Sequence, residues 1–160
     1  MNLIYRKATI CDLKTLVKTR IEVLRAANEL DDDTDMDEVE QKTEEYYINS
    51  LDDDKHTAYL VFDNDSWVGA GGVSYYSVMP TYHNPSGRKA YIMNIYVRPD
   101  YRRLGIATRI LDLLIKDAEK KGIHAISLES TRMGRPLYES YGFLKMENEM
   151  ELSDRKYGYD

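Results

Sequence analysis

Residues 90–122 constrain the fold of this chain more than any other stretch. The run AYIMNIYV, residues 90–97, is apolar on both faces, which is typical of a strand in the middle of a covered sheet. Pro99 ends that strand, and an amphipathic helical pattern begins after Gly105 and stops at Gly122. The apolar side of this helix consists of Ile106, Ile110, Leu111, Leu114, Ile115 and Ala118. The stretch therefore predicts an α/β domain.

The rest of the chain supplies further strands and helices of ordinary length. Alternating or apolar runs predict strands over residues 3–9, on both sides of a turn at Asp63–Asp65 within 57–78, over 124–130, and over 143–152 as a closing strand. Helical spacing predicts three helices besides the one after Gly105. The first begins at a capping box of Thr9 and Asp12 and ends near Asn28, the second covers 39–51, and a short third covers Pro136–Tyr141. The order β-α-α-β-β-β-α-β-α-β predicts one α/β domain over residues 1–160.

The composition narrows the possible partners and the compartment. No apolar run approaches the ~20 residues of a membrane span, and the chain does not begin with the long apolar core of a signal peptide. The only cysteine, Cys11, cannot form an internal disulfide. We therefore expect a cytoplasmic protein that makes no use of a membrane. The net charge is −6, without the dominant basic patch of a nucleic-acid binder.

The charge is unevenly distributed along the chain. Residues 31–54 contain twelve acidic residues and one base, Lys42, and so carry −11, which leaves +5 for the remainder. Counted from Asp31, the run DDDTDMDEVEQK resembles a calcium loop in its first positions. It has Met36 in place of the required glycine and Lys42 in place of the final glutamate. We therefore predict no metal site.

Two arginines and a glycine stand at the predicted start of the helix after residue 105. Neither the P-loop pattern nor the dinucleotide fingerprint occurs in the chain. The run is Arg102, Arg103, Leu104, Gly105, Ile106, Ala107. Backbone N–H groups from Arg103 to Thr108 can surround a pyrophosphate at a helix N-terminus, and Gly105 lets the backbone approach it closely. The segment predicts a binding site for a phosphate-bearing ligand.

This segment resembles the acyl-CoA signature [R/Q]-x-x-G-x-[G/A] of the GNAT superfamily of N-acetyltransferases. The context is similar as well, because NIYVRPDYR precedes the signature and LYESYGF follows it after one further strand. The resemblance implies a mixed, mostly antiparallel, twisted sheet flanked by helices, with a splayed strand pair that holds coenzyme A. It also implies a bulged central strand whose residues Ile95, Tyr96 and Val97 pair with the pantetheine arm. Asn94 is expected either to face the cleft or to be satisfied within the sheet.

The resemblance also implies two catalytic residues. Glu129, late in the strand after the signature helix, matches a glutamate that acts as general base in some amine-acetylating members. The alternatives are an ion pair of Glu129 with Arg132 or Arg135, or a chain of ordered water as the base. Tyr138, in LYESYGF, matches the tyrosine beside the thioester sulfur and is expected to protonate the departing thiolate. The alternative for Tyr138 is a packing role.

Acetyl-CoA is the cosubstrate that the resemblance implies. We expect acetyl transfer to a primary amine in a ternary complex, with a small cationic amine as acceptor. A protein N-terminus or lysine is the alternative acceptor, and a non-catalytic CoA-binding regulatory module is the alternative of another class. In the superfamily the region of the first two helices borders the acceptor site, so the acidic residues 31–54 would attract a cation. A homodimer is expected from the habit of the superfamily.

Overall fold

The computed structural model of the protein describes residues 1–152. They belong to two compact units, Met1–Glu129 and a second unit that begins at Ser130. Within the first unit the strands are β1 (Leu3–Lys7), β2 (His56–Asp63), β3 (Ser66–Ser77), β4 (Arg88–Val97) and β5 (Ala125–Leu128), and the α-helices are α1 (Leu13–Ala27), α2 (Asp37–Ser50) and α3 (Ile106–Lys120). No helix among the described residues is both long and apolar enough to cross a membrane.

The five strands form one sheet in the order β1-β2-β3-β4-β5. The first three pairings are antiparallel, and the last, between β4 and β5, is parallel. Parallel neighbours require a crossover, and α3 lies between them in the chain. The predicted mixed, mostly antiparallel sheet is confirmed, although β5 is shorter than the predicted strand over 124–130.

Helix α3 covers one face of this sheet at close range. Its apolar side chains Ile110, Leu111 and Leu114 are fully buried. A Cβ atom added at Gly71 of β3 would lie 2.3 Å from Cγ2 of Ile110, so the glycine permits the helix to approach the strand. A Cβ atom at Gly69 would lie 3.6 Å from Cδ1 of Ile110, an ordinary contact, and one at Gly72 would meet His56 on the opposite face. Within the run GAGG, Gly71 is therefore the residue that the close helix–sheet approach requires.

Helices α1 and α2 cover the opposite face. Their buried residues Leu16, Val17 and Tyr47 pack in one cluster with Leu60 of β2 and Ala70 of β3. The predicted N-terminal cap is present, because Asp12 accepts a hydrogen bond from Thr9 N–H at 2.8 Å. This capping box opens a 3₁₀ turn, Ile10–Asp12, that leads directly into α1.

Asp117 of α3 joins the helix to three strands. Its carboxylate accepts hydrogen bonds from Tyr75 Oη at 2.5 Å and from Thr57 Oγ1 at 2.8 Å, and Lys7 Nζ lies 3.3 Å away. Burial alone would raise the pKa of Asp117. The two hydrogen bonds and the cations Lys7 and Lys121 outweigh burial and bring the pKa below its ordinary value.

The second unit contains α4 (Arg135–Tyr141), close to the predicted short helix. The predicted closing strand over 143–152 is wrong, because these residues form no strand. Apolar side chains alternate there, but Leu144 is 89% exposed and Met150 is 94% exposed. An alternating pattern becomes a strand only when a partner strand bonds its backbone groups. The prediction of one domain over 1–160 includes residues 153–160, which lie outside the described residues.

Candidate active site

The central strand β4 carries a β-bulge near its C-terminal end. Two consecutive β4 residues, Asn94 and Ile95, stand opposite the single residue Gly71 of β3. Asn94 has a φ of 61°, in the left-handed region that asparagine tolerates better than most residues. A bulge leaves a residue outside the ladder and bends the strand. The bulge that the resemblance implied is therefore present.

Beyond the bulge, the edge of β4 on the β5 side pairs with no strand in residues 1–152, and we call it the free edge. The parallel pairing ends at Ile92 with Leu128, so within the described part of the chain residues 93–97 pair with β3 alone. The N–H of Arg98 donates to Val68 O at 2.9 Å and points towards β3. Because successive residues of a strand direct their N–H groups to opposite sides, the N–H of Val97 points towards the free edge. An extended chain can bond to this edge as an added strand would.

A short, well-anchored loop leads from β4 to α3. Pro99–Tyr101 form a 3₁₀ turn, and the Tyr101 hydroxyl donates to Asp63 Oδ2 at 3.0 Å. The Arg102 side chain returns to the strand, where its Nε donates to Val97 O at 3.1 Å. Arg103 and Gly105 both have positive φ, 62° and 79°. Such conformations turn successive N–H groups into a concave surface that accepts anions.

The first turn of α3 presents N–H groups without helical partners. The helical ladder begins with Arg109 N–H, which bonds Gly105 O at 3.0 Å. The N–H groups of Ile106, Ala107 and Thr108 precede it and have no carbonyl in the helix to bond, and Gly105 caps none of them with a side chain. Ile106 is 1% exposed and fixes this turn against the core. The arrangement suits a phosphate group.

The cations around this turn have different surroundings. Arg103 is exposed on the loop. Arg109, one turn into α3, lies 3.4 Å from the carboxylate of Asp112. Because Arg102 holds the end of β4 through its Nε, its side chain has a role in the loop itself besides its charge.

Glu129 lies one residue beyond β5 and is exposed. Within residues 1–129 it makes no hydrogen bond or ion pair. Ser127, two residues earlier, pairs with Tyr91, and Tyr91 pairs with Ser74, whose hydroxyl contacts Tyr46 of α2. Paired residues of neighbouring strands share a face, so Ser127 lies on the face that α1 and α2 cover. Arg135, one of its two candidate partners, pairs with Glu139 at 2.6 Å.

A polar cluster that the sequence analysis did not single out lies on this same face. The Tyr46 hydroxyl is 2.9 Å from His56 Nδ1 and 2.6 Å from Ser74 Oγ. Burial, and then the charge of Arg20, lower the pKa of His56 to about 4, so the imidazole is neutral at pH 7. The alternation of β2 offered a signal for this cluster, since His56 shares a face with the buried Leu60.

Arg20 of α1 is the second residue that the sequence analysis missed. It is half-buried, and its Nη1 donates to Asn94 Oδ1 at 2.9 Å. Burial lowers the pKa of Arg20 from its usual value, and a guanidinium remains charged in proteins. The side chain of Asn94 is thus hydrogen-bonded to a residue of α1, an arrangement that the sequence analysis did not consider.

In the second unit, Tyr138 lies in the middle of α4. Its ring packs edge-on against Phe143, with ring centroids 6.1 Å apart. Burial raises the pKa of the Tyr138 phenol. The phenol is therefore protonated at neutral pH, which is the state that a proton donor needs. Tyr141 also contacts Phe143, at 6.2 Å between centroids, and is the natural control residue.

Comparison with known proteins agrees with this geometry. The model of the acetyltransferase (GNAT) family matches residues 23–143. The match covers more than half of the chain, so the protein belongs to the GNAT acetyltransferase family. The predicted resemblance to acetyl-CoA-dependent N-acetyltransferases is thereby confirmed. Among the described residues, no group of three or more His, Cys, Asp or Glu side chains is placed to hold a metal ion.

Individual relatives extend the comparison. A predicted acetyltransferase from Clostridium acetobutylicum, crystallised with acetyl-CoA, is 30% identical, with a TM-score of 0.88 over 99% of this chain and 100% of that one. A GCN5-related N-acetyltransferase from Ralstonia eutropha is 22% identical, with a TM-score of 0.80 over 95% and 98%. The alanine N-acetyltransferase of ribosomal protein bS18 from Escherichia coli is 41% identical over 58 residues. That match spans 34% of this chain and 39% of the relative.

Proposed function

We propose that the protein transfers the acetyl group of acetyl-CoA to a primary amine by direct attack in a ternary complex. The observation that carries this proposal is the continuity of residues 94–108. A bulge, a free strand edge, a positive-φ loop and an open helix N-terminus follow one another there. This order matches the parts of acetyl-CoA, from acetyl group through pantetheine to pyrophosphate. A structural relative with 30% identity was crystallised with that molecule.

Two neighbouring segments hold the cosubstrate in this proposal. The backbone of Ile95, Tyr96 and Val97 pairs with the amide groups of the pantetheine arm along the free edge of β4. The N–H groups from Arg103 to Thr108 bind the pyrophosphate, where the helix dipole and the exposed Arg103 favour negative charge. Arg102 contributes charge and keeps the loop against the strand end.

The reaction requires a neutral amine, because a protonated one has no lone pair. An alkyl amine with a pKa of ~10.4 is almost entirely protonated at pH 7. Glu129 takes the proton from the amine, directly or through water, from its exposed position at the point where the parallel strands separate. The nitrogen then attacks the thioester carbon, and a backbone N–H at the free edge of β4 stabilises the carbonyl oxygen as it gains negative charge.

The intermediate collapses with cleavage of the carbon–sulfur bond. The electron pair leaves on sulfur, and Tyr138 gives its phenolic proton to the thiolate. The products are the acetylated amine and coenzyme A. Burial keeps the Tyr138 phenol protonated until the thiolate forms. After its attack the nitrogen carries a positive charge, and it loses a second proton as the amide forms. That proton restores the Tyr138 phenol through water, while the proton that Glu129 took first goes to solvent, so both groups recover their starting states.

The acceptor that we propose is a small cationic amine. The acidic segment 31–54 includes all of α2, which covers the same face of the sheet as Ser127, two residues before Glu129. The segment's charge of −11 raises the local concentration of cations, an effect that salt screens. A protein N-terminus or lysine is the second candidate, and the Escherichia coli relative that acts on an alanine of ribosomal protein bS18 favours it. We place the reaction in the cytoplasm.

A thiol-release assay with acetyl-CoA tests the proposed function. We expect free coenzyme A to appear at the highest rate with members of a polyamine and aminoglycoside panel, and at a lower rate with peptides carrying a free N-terminus or lysine. A preference for the peptides would replace the proposed acceptor with the second candidate. Acetyl-CoA binding by calorimetry, without thiol release from any amine, would identify a CoA-binding regulatory module instead.

A further inference from the structure

The bulge in β4 places a non-glycine residue in a conformation that most residues avoid. Asn94, at φ 61°, is a strand residue in the left-handed region. Asparagine adopts this region more readily than other non-glycine residues, but a favourable contact is still needed to hold it there. The backbone direction after Asn94 depends on this one residue, because the bulge sets which N–H groups point to the free edge.

Arg20 supplies the contact from a different element. Its Nη1 donates a hydrogen bond of 2.9 Å to Oδ1 of Asn94, across 74 positions of sequence. The helix that carries Arg20 is itself firmly seated, since its residues Leu16, Val17 and Val23 are buried in the core. Because α1 is fixed by the core, this hydrogen bond fixes the position of the Asn94 side chain in the bulge.

No acidic side chain among residues 1–152 competes with Asn94 for the guanidinium of Arg20. No carboxylate in the described part of the chain lies within ion-pair distance of Arg20, and its electrostatic neighbours are the phenol of Tyr47 and the neutral imidazole of His56. A hydrogen bond from a cation is stronger than one between neutral groups. Arg98, by contrast, is paired with Glu22 on the same helix.

We propose that Arg20 is a positioning residue for acetyl transfer, which holds Asn94 at positive φ so that the backbone after the bulge binds the thioester carbonyl. This inference rests on the proposed function, because it assigns a task to the bulge in that reaction. We call the hydrogen bond between Arg20 and Asn94 the clamp. It acts on the acetyl end of the cosubstrate only. The loop and helix turn that bind the phosphates are held by separate contacts, through Tyr101, Arg102 and Ile106.

Kinetics of four variants test the clamp. Arg20→Met should lower kcat about tenfold to hundredfold, the range for a lost charge-assisted hydrogen bond, and change the KM for acetyl-CoA by less than about threefold. Arg20→Lys, which retains a cationic donor, should recover part of kcat. Lys18→Met removes an exposed cation from the same helix and should leave kcat unchanged. Asn94→Gly should retain the bulge, because glycine adopts positive φ without strain.

The double variant with Arg20→Met and Asn94→Gly tests whether Arg20 acts through Asn94. In the Asn94→Gly background, Arg20→Met should cost little further activity, because the amide that it holds is absent and glycine does not need the clamp. An equal loss in both backgrounds would overturn the proposal. So would an unchanged kcat in Arg20→Met, or a raised KM for the amine at constant kcat, which would mean that Arg20 contacts the acceptor.

A measurement without turnover separates this inference from the proposed function. Backbone amide chemical shifts of residues 94–97 should move in Arg20→Met and remain in place in Lys18→Met, while those of residues 103–108 move in neither. If the parent protein acetylates no amine, the proposed function fails, and the clamp is then judged by these shifts alone. Unmoved shifts at residues 94–97 would refute the clamp whatever the activity.

Discussion

Replacement of Gly105 by alanine separates backbone strain from ligand binding, because the chain contains a matched control. Gly105, at φ 79°, precedes α3, and Gly122, at φ 72°, follows it. A Cβ atom at either position meets no atom of residues 1–152 within 4 Å, its chain neighbours aside. An L-residue in the left-handed region costs about 1–2 kcal/mol, partly offset by the lower entropy of the unfolded chain. Both variants should therefore lose about 1 kcal/mol of unfolding free energy, or roughly 2–4 °C in Tm.

The two variants should differ in coenzyme A binding. The open space beside Gly105 is where the proposed pyrophosphate lies, so the added methyl group displaces a phosphate from the N–H groups of α3. Loss of one charge-assisted hydrogen bond corresponds to roughly a tenfold to hundredfold weaker Kd. Gly122→Ala should bind with the parental Kd. Calorimetric titration with coenzyme A measures both, and thermal unfolding checks the equal strain. Equal affinities in the two variants would refute the assignment of this loop to phosphate.

Three further predictions concern the proton transfers and the stability of the fold. Glu129→Gln should lower kcat while barely changing acetyl-CoA affinity, and the loss should shrink as pH rises and more amine is neutral; a pH-independent loss in the rate profile would indicate positioning instead. Tyr138→Phe should lower kcat by about 10²–10⁴-fold or slightly less with normal acetyl-CoA affinity, whereas Tyr141→Phe remains active; a fully active Tyr138→Phe enzyme would remove the proposed acid. The pKa of Asp117 is lower in the folded than in the unfolded protein, so its contribution is complete above about pH 4 and is lost as pH falls through the folded pKa. Asp117→Asn should accordingly be less stable at pH 7 and lose less stability on acidification, as measured by denaturant unfolding; parallel pH curves for the two proteins would contradict this linkage.

The order of elements from β1 to α4 and the glycine turn that opens α3 were predictable from the sequence because their signals are local. The spacing of Ile106, Ile110 and Leu114 predicts a helix wherever the chain runs, and the structure has α3 over Ile106–Lys120. Gly105 before that helix similarly indicated a close approach of the backbone and N–H groups open to a ligand, and the structure adds that Gly105 is left-handed. The capping box of Thr9 and Asp12 needs only three residues of chain. In each case the interacting groups lie within one turn of one another.

Only the tertiary structure decided how distant elements meet at the candidate site. The contact of Arg20 with Asn94 spans 74 positions, and the neutrality of His56 depends on burial beneath Tyr46 and the charge of Arg20. The alternation of β2 indicates only that His56 faces the core. The partners in both contacts are set by the register of the strands and by the packing of a helix on them.

The predicted strand over 143–152 shows where a local signal is insufficient. Its alternating pattern depends only on neighbouring residues, whereas a strand also needs a second segment to pair with, and these residues have no strand structure. The sequence by itself determined which segments are able to form helices, turns and strands, since those propensities act over a few residues. The tertiary structure determined which strands are paired and where β4 separates from β5, one residue before Glu129. Pairing and register depend on backbone hydrogen bonds between segments far apart in the chain, which no local pattern specifies.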